Sequence, residues 1–415
     1  MKVIHILPYS SLATGRGFDV DLFGFGYHAK VAQYVWKRTR KYQLECWRPE
    51  RKLKEAISGE KDGIIYRAFP SFRPTLGFLD KVIYKGVTRF APQARWGLWR
   101  EYSASLLKEL KKECQDGEVL VHLFQVPFDL SYLICLYLRD VPIVGTHIGG
   151  APYTYSLSSL LYHLPFSLVE QKALRNVDVM LASSAKISEG FSKLCSHVMT
   201  CAPTAGMDFD WFRPLEKETI RSALGIPPGK RVLLHIGRFD SAKGLDVILR
   251  AHRELKSRYD LELILLGGLR TDPLYGEAVK SGARVREWLP QHELIPYYSA
   301  ADVYLFTRFY HSMAQERLEE FMGIGTAPLE SLACGTPVVG TNLKHFLGIE
   351  DDLKGIGKIP VTPDDVVKYI VDVLEHPELY RNCREIARKY YSWETVADQL
   401  IDIYDQLLEK YYGRA

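Results

Sequence analysis

The stretch RVLLHIGRFDSAKGLDVILRAH, Arg231 to His252, joins a strand to a helix through a charged loop. An apolar run ends at Gly237, the loop carries Arg238 and Lys243, and Gly244 opens the next helix. Two cations and free helix amides at the carboxyl end of a strand suit a diphosphate leaving group, because negative charge grows there as the bond breaks. Lys and Arg account for 54 of the 415 residues, so their presence means little and their placement carries the reading. A solvated loop is the alternative.

Outward from this stretch the same alternation recurs. KVIHIL, VLVHLF, PIVGTHI and VDVMLA precede it; LELILLGG, DVYLFT and TPVVG follow it. Short apolar runs between helix-like stretches predict parallel strands with crossover helices, in two doubly wound α/β halves. A length of 415 residues likewise exceeds what one hydrophobic core usually serves. The periodicity lapses over APTAGMDFDWFRPLEK, Ala202 to Lys217, which reads as the linker. The expected domains are therefore 1–205 and 206–391. From Ser392 to Tyr411 an amphipathic helix is expected, with Trp393, Val396, Leu400, Ile403, Tyr404 and Leu407 on one side.

Composition narrows the function classes. With 47% hydrophobic and 25% charged residues the chain reads as soluble and globular. Basic and acidic residues nearly balance, 54 against 50, which argues against a nucleic-acid binder that neutralises many phosphates. Seven cysteines with no CxxC suit a reducing, cytoplasmic setting and give no zinc signature. MKVIHILPYSS is too short in apolar content for a secretory signal and reads as a first strand. Between Asp140 and Glu170 no charged side chain occurs, yet Gly149, Gly150, Pro152 and Pro165 interrupt the run, so a membrane-spanning helix is rejected.

Four further motifs bear on chemistry. GFGYHA, Gly24 to Ala29, fits a dinucleotide pattern with Glu45 downstream, but about fifteen residues separate it from the first strand. It is left as a loop-to-helix junction or as a glycine loop that approaches a phosphate or sugar. His147, in VGTHIGG, follows a strand and is either structural or a cleft residue. In MGIGTAPLESLACGTPVVG, Met322 to Gly340, Gly323 and Gly325 precede a short helix expected from Thr326–Pro328 to Gly335. Its Glu330 is either a first-turn acid complementing the helix dipole or a carboxylate accepting a sugar's vicinal hydroxyls. Finally, Tyr66 to Arg100 interleaves basic and aromatic residues, as a surface docking on an anionic membrane or an acceptor phosphate would; such aromatics also serve as core.

Taken together, these motifs resemble the family-4 retaining glycosyltransferases of the GT-B fold. The resemblance runs over nearly the whole chain and is strongest from Arg221 to Gly340, in RSALGIPPGKRVLLHIGRFDSAKGLDVILRA, EWLPQHELIPYYSAADVYL and LESLACGTPVVGTN. PTAGMDFDWFRP and YYSWETVADQLIDIYDQLL resemble the family's inter-domain segment and terminal helix. It implies two Rossmann-like domains facing a cleft, with the helix in 392–415 crossing back to the N-terminal domain. It also implies a UDP- or GDP-sugar donor in the C-terminal domain and a saccharide or lipid-linked acceptor in the N-terminal one, and hence a hexosyltransferase of glycan biosynthesis. Gly237, Arg238 and Lys243 would then face the donor diphosphate, and Glu330 would hold the ribose. His147 would approach the donor sugar, and Gly26 would sit in the first glycine loop, while Gly323, Gly325 and Thr326 would bring backbone amides to the donor. Retention by attack on the same face needs no carboxylate nucleophile. Neither a metal nor a cofactor is expected, and peripheral membrane contact through 66–100 is. One departure stands out: Met322 occupies the place where the family usually has a glutamate supporting the donor sugar, after a lengthened segment, RFYHSMAQERLEEF. Glu316, Glu319 or Glu320 could substitute, or the chain could be a catalytically impaired sugar-nucleotide or glycan-binding relative.

Overall fold

The structure is a computed structural model that describes residues 1–8, 27–72, 101–126, 129–147, 164–200, 206–309, 324–346 and 349–413. Gly26, Glu316, Glu319, Glu320, Met322 and Gly323 lie outside the described residues, as do positions 73–100 and 148–163. The chain divides into two compact units: residues 1–204 with the segment from Trp393 onward, and the described residues between.

Unit 1 is built on strands β1 (Lys2–Ile6), β2 (Gln43–Glu50), β3 (Ile57–Lys61), β4 (Ile64–Pro70), β5 (Val119–Phe124), β6 (Ile143–Thr146), β7 (Val179–Ala182) and β8 (Val198–Thr200). Their order in the sheet is β3-β4-β2-β1-β5-β6-β7-β8, and only β3 runs antiparallel to its neighbour. Runs such as VLVHLF are buried along their whole length, as a parallel sheet covered on both faces requires. One face packs Ile4, Ile6, Val121 and Leu123 against Leu130 and Ile134.

The terminal helix, Trp393–Tyr412, belongs to this unit. It buries Trp393, Val396, Leu400, Ile403, Tyr404 and Leu407, the side expected from the sequence pattern. Trp393 stacks on Tyr34 at 6.0 Å between ring centroids, and Arg38 of the first helix, Tyr27–Arg38, reaches Asp398 at 2.7 Å.

Two sequence expectations change here. Tyr66 to Pro70, the start of the basic and aromatic segment, is strand β4, and Tyr66 and Phe69 are buried. Those two aromatics are core rather than docking surface. Glu45, placed downstream of the glycine pattern, is fully buried on β2 between Lys2 and Arg67, each at 3.0 Å, and accepts from Trp47 Nε1 at 2.8 Å. It is a structural acid.

Unit 2 contains β9 (Arg231–Ile236), β10 (Leu261–Leu266), β11 (Arg284–Arg286), β12 (Val303–Phe306), β13 (Val338–Gly340) and β14 (Gly357–Lys358). The sheet order is β11-β10-β9-β12-β13-β14, all parallel. The chain moves outward from β9 to β11, then returns to place β12 on β9's other side. That reversal is the Rossmann order, and ligands of such sheets bind at the carboxyl ends of the two strands flanking it. The opposite end is closed: Asp302, just before β12, pairs with Arg221 at 2.7 Å and Lys217 at 2.8 Å and accepts from the Val232 N–H at 2.7 Å. No helix among the described residues is long and apolar enough to cross a membrane.

Candidate functional site

The loop after β9 is held against both of that strand's neighbours. Gly237 donates its N–H to Leu266 O of β10 at 2.9 Å. Gly244 has φ 75°, and a Cβ there would stand 1.7 Å from the carbonyl oxygen of Thr307, the residue after β12. Only glycine fits a backbone that is both left-handed and so closely approached. Thr307 Oγ1 in turn donates to Gly244 O at 3.0 Å. The residues between, Arg238 to Lys243, are thus fixed over the strand reversal, and the helix Leu245–Leu255 starts immediately after.

The charges of this loop are unevenly placed. Arg238 is 65% exposed and lies 3.3 Å from Asp240. Lys243 is half-buried, and its pKa is pushed down to about 8, by burial first and then by the Arg308 and Arg238 guanidiniums, with Asp240 acting the other way. Below that pH it is an ammonium. Arg308, two residues past β12, is 9% exposed. Its Cζ lies 5.4 Å from the centroid of Phe306, the ring that Lys243 Nζ overlooks at 6.0 Å. Beneath them His235, fully buried on β9, donates from Nδ1 to Leu305 O at 2.9 Å; a carbonyl only accepts, so Nε2 carries the lone pair. Burial pushes this imidazole down to about 4, so it is neutral.

The second element is the helix Thr326–Ala333, entered through Gly325 at φ 84° and followed by Gly335 at φ 79°. Asn342 donates from Nδ2 to Ile324 O and braces this entry. Gly325 and Thr326 are exposed at it. Glu330 falls on the second turn and is 4% exposed, which rules out the first-turn dipole reading. Its carboxylate accepts from Gln291 Nε2 at 2.6 Å and from the Tyr298 hydroxyl at 2.7 Å. Burial raises its pKa while those two donors pull it down. Tyr298 is buried; Gln291 is exposed and marks the solvent side of the carboxylate.

Residues 216–390, which contain both elements, match the family Glycosyl transferases group 1. The chain carries a group 1 glycosyl transferase domain. A curated relative, D-inositol 3-phosphate glycosyltransferase of Saccharomonospora viridis, is 30% identical over 52% of this chain and 52% of its own length. The chain spans about half the length of such curated relatives. Sucrose-phosphate synthase from Thermosynechococcus elongatus superposes with a TM-score of 0.63 over 99% of this chain and 100% of that one, at 17% identity. HepE of Anabaena, solved in complex with UDP, gives 0.62 over 98% and 100%, at 14% identity. These solved structures show the fold: it is GT-B, with two Rossmann-like domains.

Within the group 1 domain, then, the structure gathers Gly237, Arg238 and Lys243 at the strand reversal and sets Glu330 on a helix of the same unit. Arg308 was not expected from sequence, where it opens the lengthened segment RFYHSMAQERLEEF; its place two residues past β12, beside β9, is the signal that marks it. Outside the group 1 domain, His147 directly follows β6 of unit 1, donates its backbone N–H to Leu181 O at 2.9 Å, and is fully buried with its ring 5.2 Å from that of Phe191. Among the described residues, no group of three or more His, Cys, Asp or Glu could hold a metal ion.

Proposed function

We propose that the chain is a retaining glycosyltransferase that moves a hexose from a nucleotide-sugar, a UDP- or GDP-sugar, to a saccharide or lipid-linked acceptor. The observation that carries this reading is the cation-bearing loop Gly237–Gly244 at the strand reversal of unit 2. Arg238 and Lys243 meet the donor diphosphate and offset the charge it gains as the glycosidic bond breaks. Glu330, buried and fed by two neutral donors, keeps acceptor capacity for ribose hydroxyls, which take the place of the exposed Gln291 amide. Same-face transfer needs no enzyme nucleophile. The names of the relatives, D-inositol 3-phosphate glycosyltransferase and sucrose-phosphate synthase, add phosphorylated polyols and sugars to the acceptors worth screening.

The test is release of free nucleotide from UDP-, GDP- and ADP-sugars, with and without such acceptors. Arg238→Ala and Lys243→Ala should each lower turnover on the order of a hundredfold, as removal of a charge-stabilising donor does elsewhere. Parent-like turnover in both variants would show that the site is misplaced. Met322 motivates a second reading, a binding protein without transferase activity. Calorimetric binding of a nucleotide-sugar without transfer to any acceptor would favour it.

A further inference from the structure

The two side chains that donate to Glu330 come from one stretch but from different depths. Gln291 opens the turn Gln291–Glu293, and Tyr298 lies in the helix Ile295–Ala300 that follows. The Leu294 N–H donates to Gln291 O at 3.2 Å and the Tyr298 N–H to Leu294 O at 3.1 Å, so a helical path sets both side chains on one face. Tyr298 is fully buried, its carbonyl accepting from Thr336 Oγ1 at 2.6 Å, and it reaches Glu330 Oε2 from within the core. Gln291 stands at the surface, where His292 and Glu293 are exposed with it. Its Nε2 turns inward to Glu330 Oε1 at 2.6 Å, and the carboxylate beneath it is left 4% exposed. The amide thus covers the open side of the acid. Thr326, four residues before Glu330 and on the same face of its helix, is exposed, so a molecule seated at the helix entry extends toward that carboxylate. A ribose diol arriving there approaches Oε1 from the solvent side, as the amide does. Diol and amide therefore compete for one acceptor.

We propose that Gln291 is a built-in competitor of the donor ribose: in the free protein its amide fills the hydroxyl position at Glu330, and the nucleotide binds by displacing it to solvent. The proposal rests on the reading that Glu330 holds the ribose. Its consequence is opposite in sign to that of an ordinary binding residue, because removal of Gln291 strengthens binding. The displaced amide regains its hydrogen bond from water, whereas a buried carboxylate short of one donor gains more when the diol arrives.

Titration calorimetry on the full chain with UDP, GDP and ADP, each against its 2′,3′-dideoxy counterpart, tests it. For the base that binds tightest, Gln291→Ala should bind the ribonucleotide about 3- to 10-fold more tightly than the parent, the net worth of one hydrogen bond, and the dideoxynucleotide within about twofold of it. Gln291 is exposed, so its truncation leaves the core intact. Ribonucleotide affinity unchanged or weakened in Gln291→Ala, or both nucleotides tightened equally, would overturn the proposal. In that event a parent that prefers the ribonucleotide, and loses the preference in Glu330→Gln, leaves the ribose reading standing without the competitor. A parent that binds ribo- and dideoxynucleotide alike, or neither, overturns the ribose reading and the proposal with it.

Discussion

Lys243 sits where its own charge is costly. Burial, Arg308 and Arg238 disfavour the ammonium more than Asp240 favours it, so the side chain gives up its proton near pH 8 instead of 10.5. An unfolded chain keeps that proton up to the ordinary value, so between those two pH values the unfolded state binds more protons, and ligand-free stability gains from this residue as pH rises. A bound diphosphate reverses the balance, because its charge favours the ammonium. Nucleotide binding should therefore take up a proton at about pH 8.5 and almost none at about pH 6.5. Calorimetry in two buffers of different ionisation enthalpy measures the uptake directly. Lys243→Met should abolish it, and buffer-independent heats at the higher pH would remove Lys243 from the binding site. Arg308 shows why such a site is only partly legible in sequence. The loop after β9 announces itself by Gly237 and Gly244, whereas an arginine after β12 is one basic residue among many until the sheet order places β12 beside β9.

The terminal helix attaches to unit 1 through two kinds of polar contact that differ in worth. Exposed pairs, Arg38 with Asp398 at 2.7 Å and Lys41 with Asp405 at 2.8 Å, gain little in water. The buried contact is different. The Tyr404 hydroxyl lies 3.0 Å from His5 Nε2 on β1 and 2.5 Å from His122 Nδ1 on β5, and His122 Nε2 continues to Thr146 Oγ1 at 2.6 Å. Tyr404→Phe removes a hydroxyl that serves two buried rings and should lower stability by about 1–3 kcal/mol, the range for a buried polar group left unmatched. Asp398→Ala should cost less than about 1 kcal/mol. Urea midpoints of the two variants decide between them, and equal shifts would mean the buried chain contributes nothing special.

Pattern predicted the amphipathic stripe of this helix because its apolar spacing is regular. The same pattern passed over β2, QLECWRPE, whose Glu45, Arg48 and Glu50 are buried. Charges that belong inside interrupt the apolar run by which a strand is recognised, and their compensating partners, such as Arg67 for Glu45, lie elsewhere in the chain. Glu330 stays between two readings in sequence for a related reason: whether an acid lies on the first or second turn depends on a helix start that sequence places only to within two residues.

At the scale of the whole molecule, chain order and structural order part company at Trp393. The helix that begins there follows directly on unit 2 in sequence, yet its buried residues join the sheet of unit 1. Each unit has its own apolar core, Ile4, Val121 and Leu123 in one and Leu233, Leu263 and Leu305 in the other. Cores that do not share residues can open separately, and hydrogen exchange in mild urea resolves such units. Amides of Val396 to Leu408 should accordingly open with β1 and β5, although the helix Pro363–Glu375 of unit 2 lies nearer in the chain. Addition of the tightest nucleoside diphosphate should slow exchange around Gly237–Gly244 and the helix Thr326–Ala333 while leaving β1, β5 and the terminal helix unchanged, since a ligand protects only the unit whose open form cannot bind it. Protection of the terminal helix by nucleotide, in step with β9, would mean that it unfolds with unit 2, and the division of the chain would have to be redrawn.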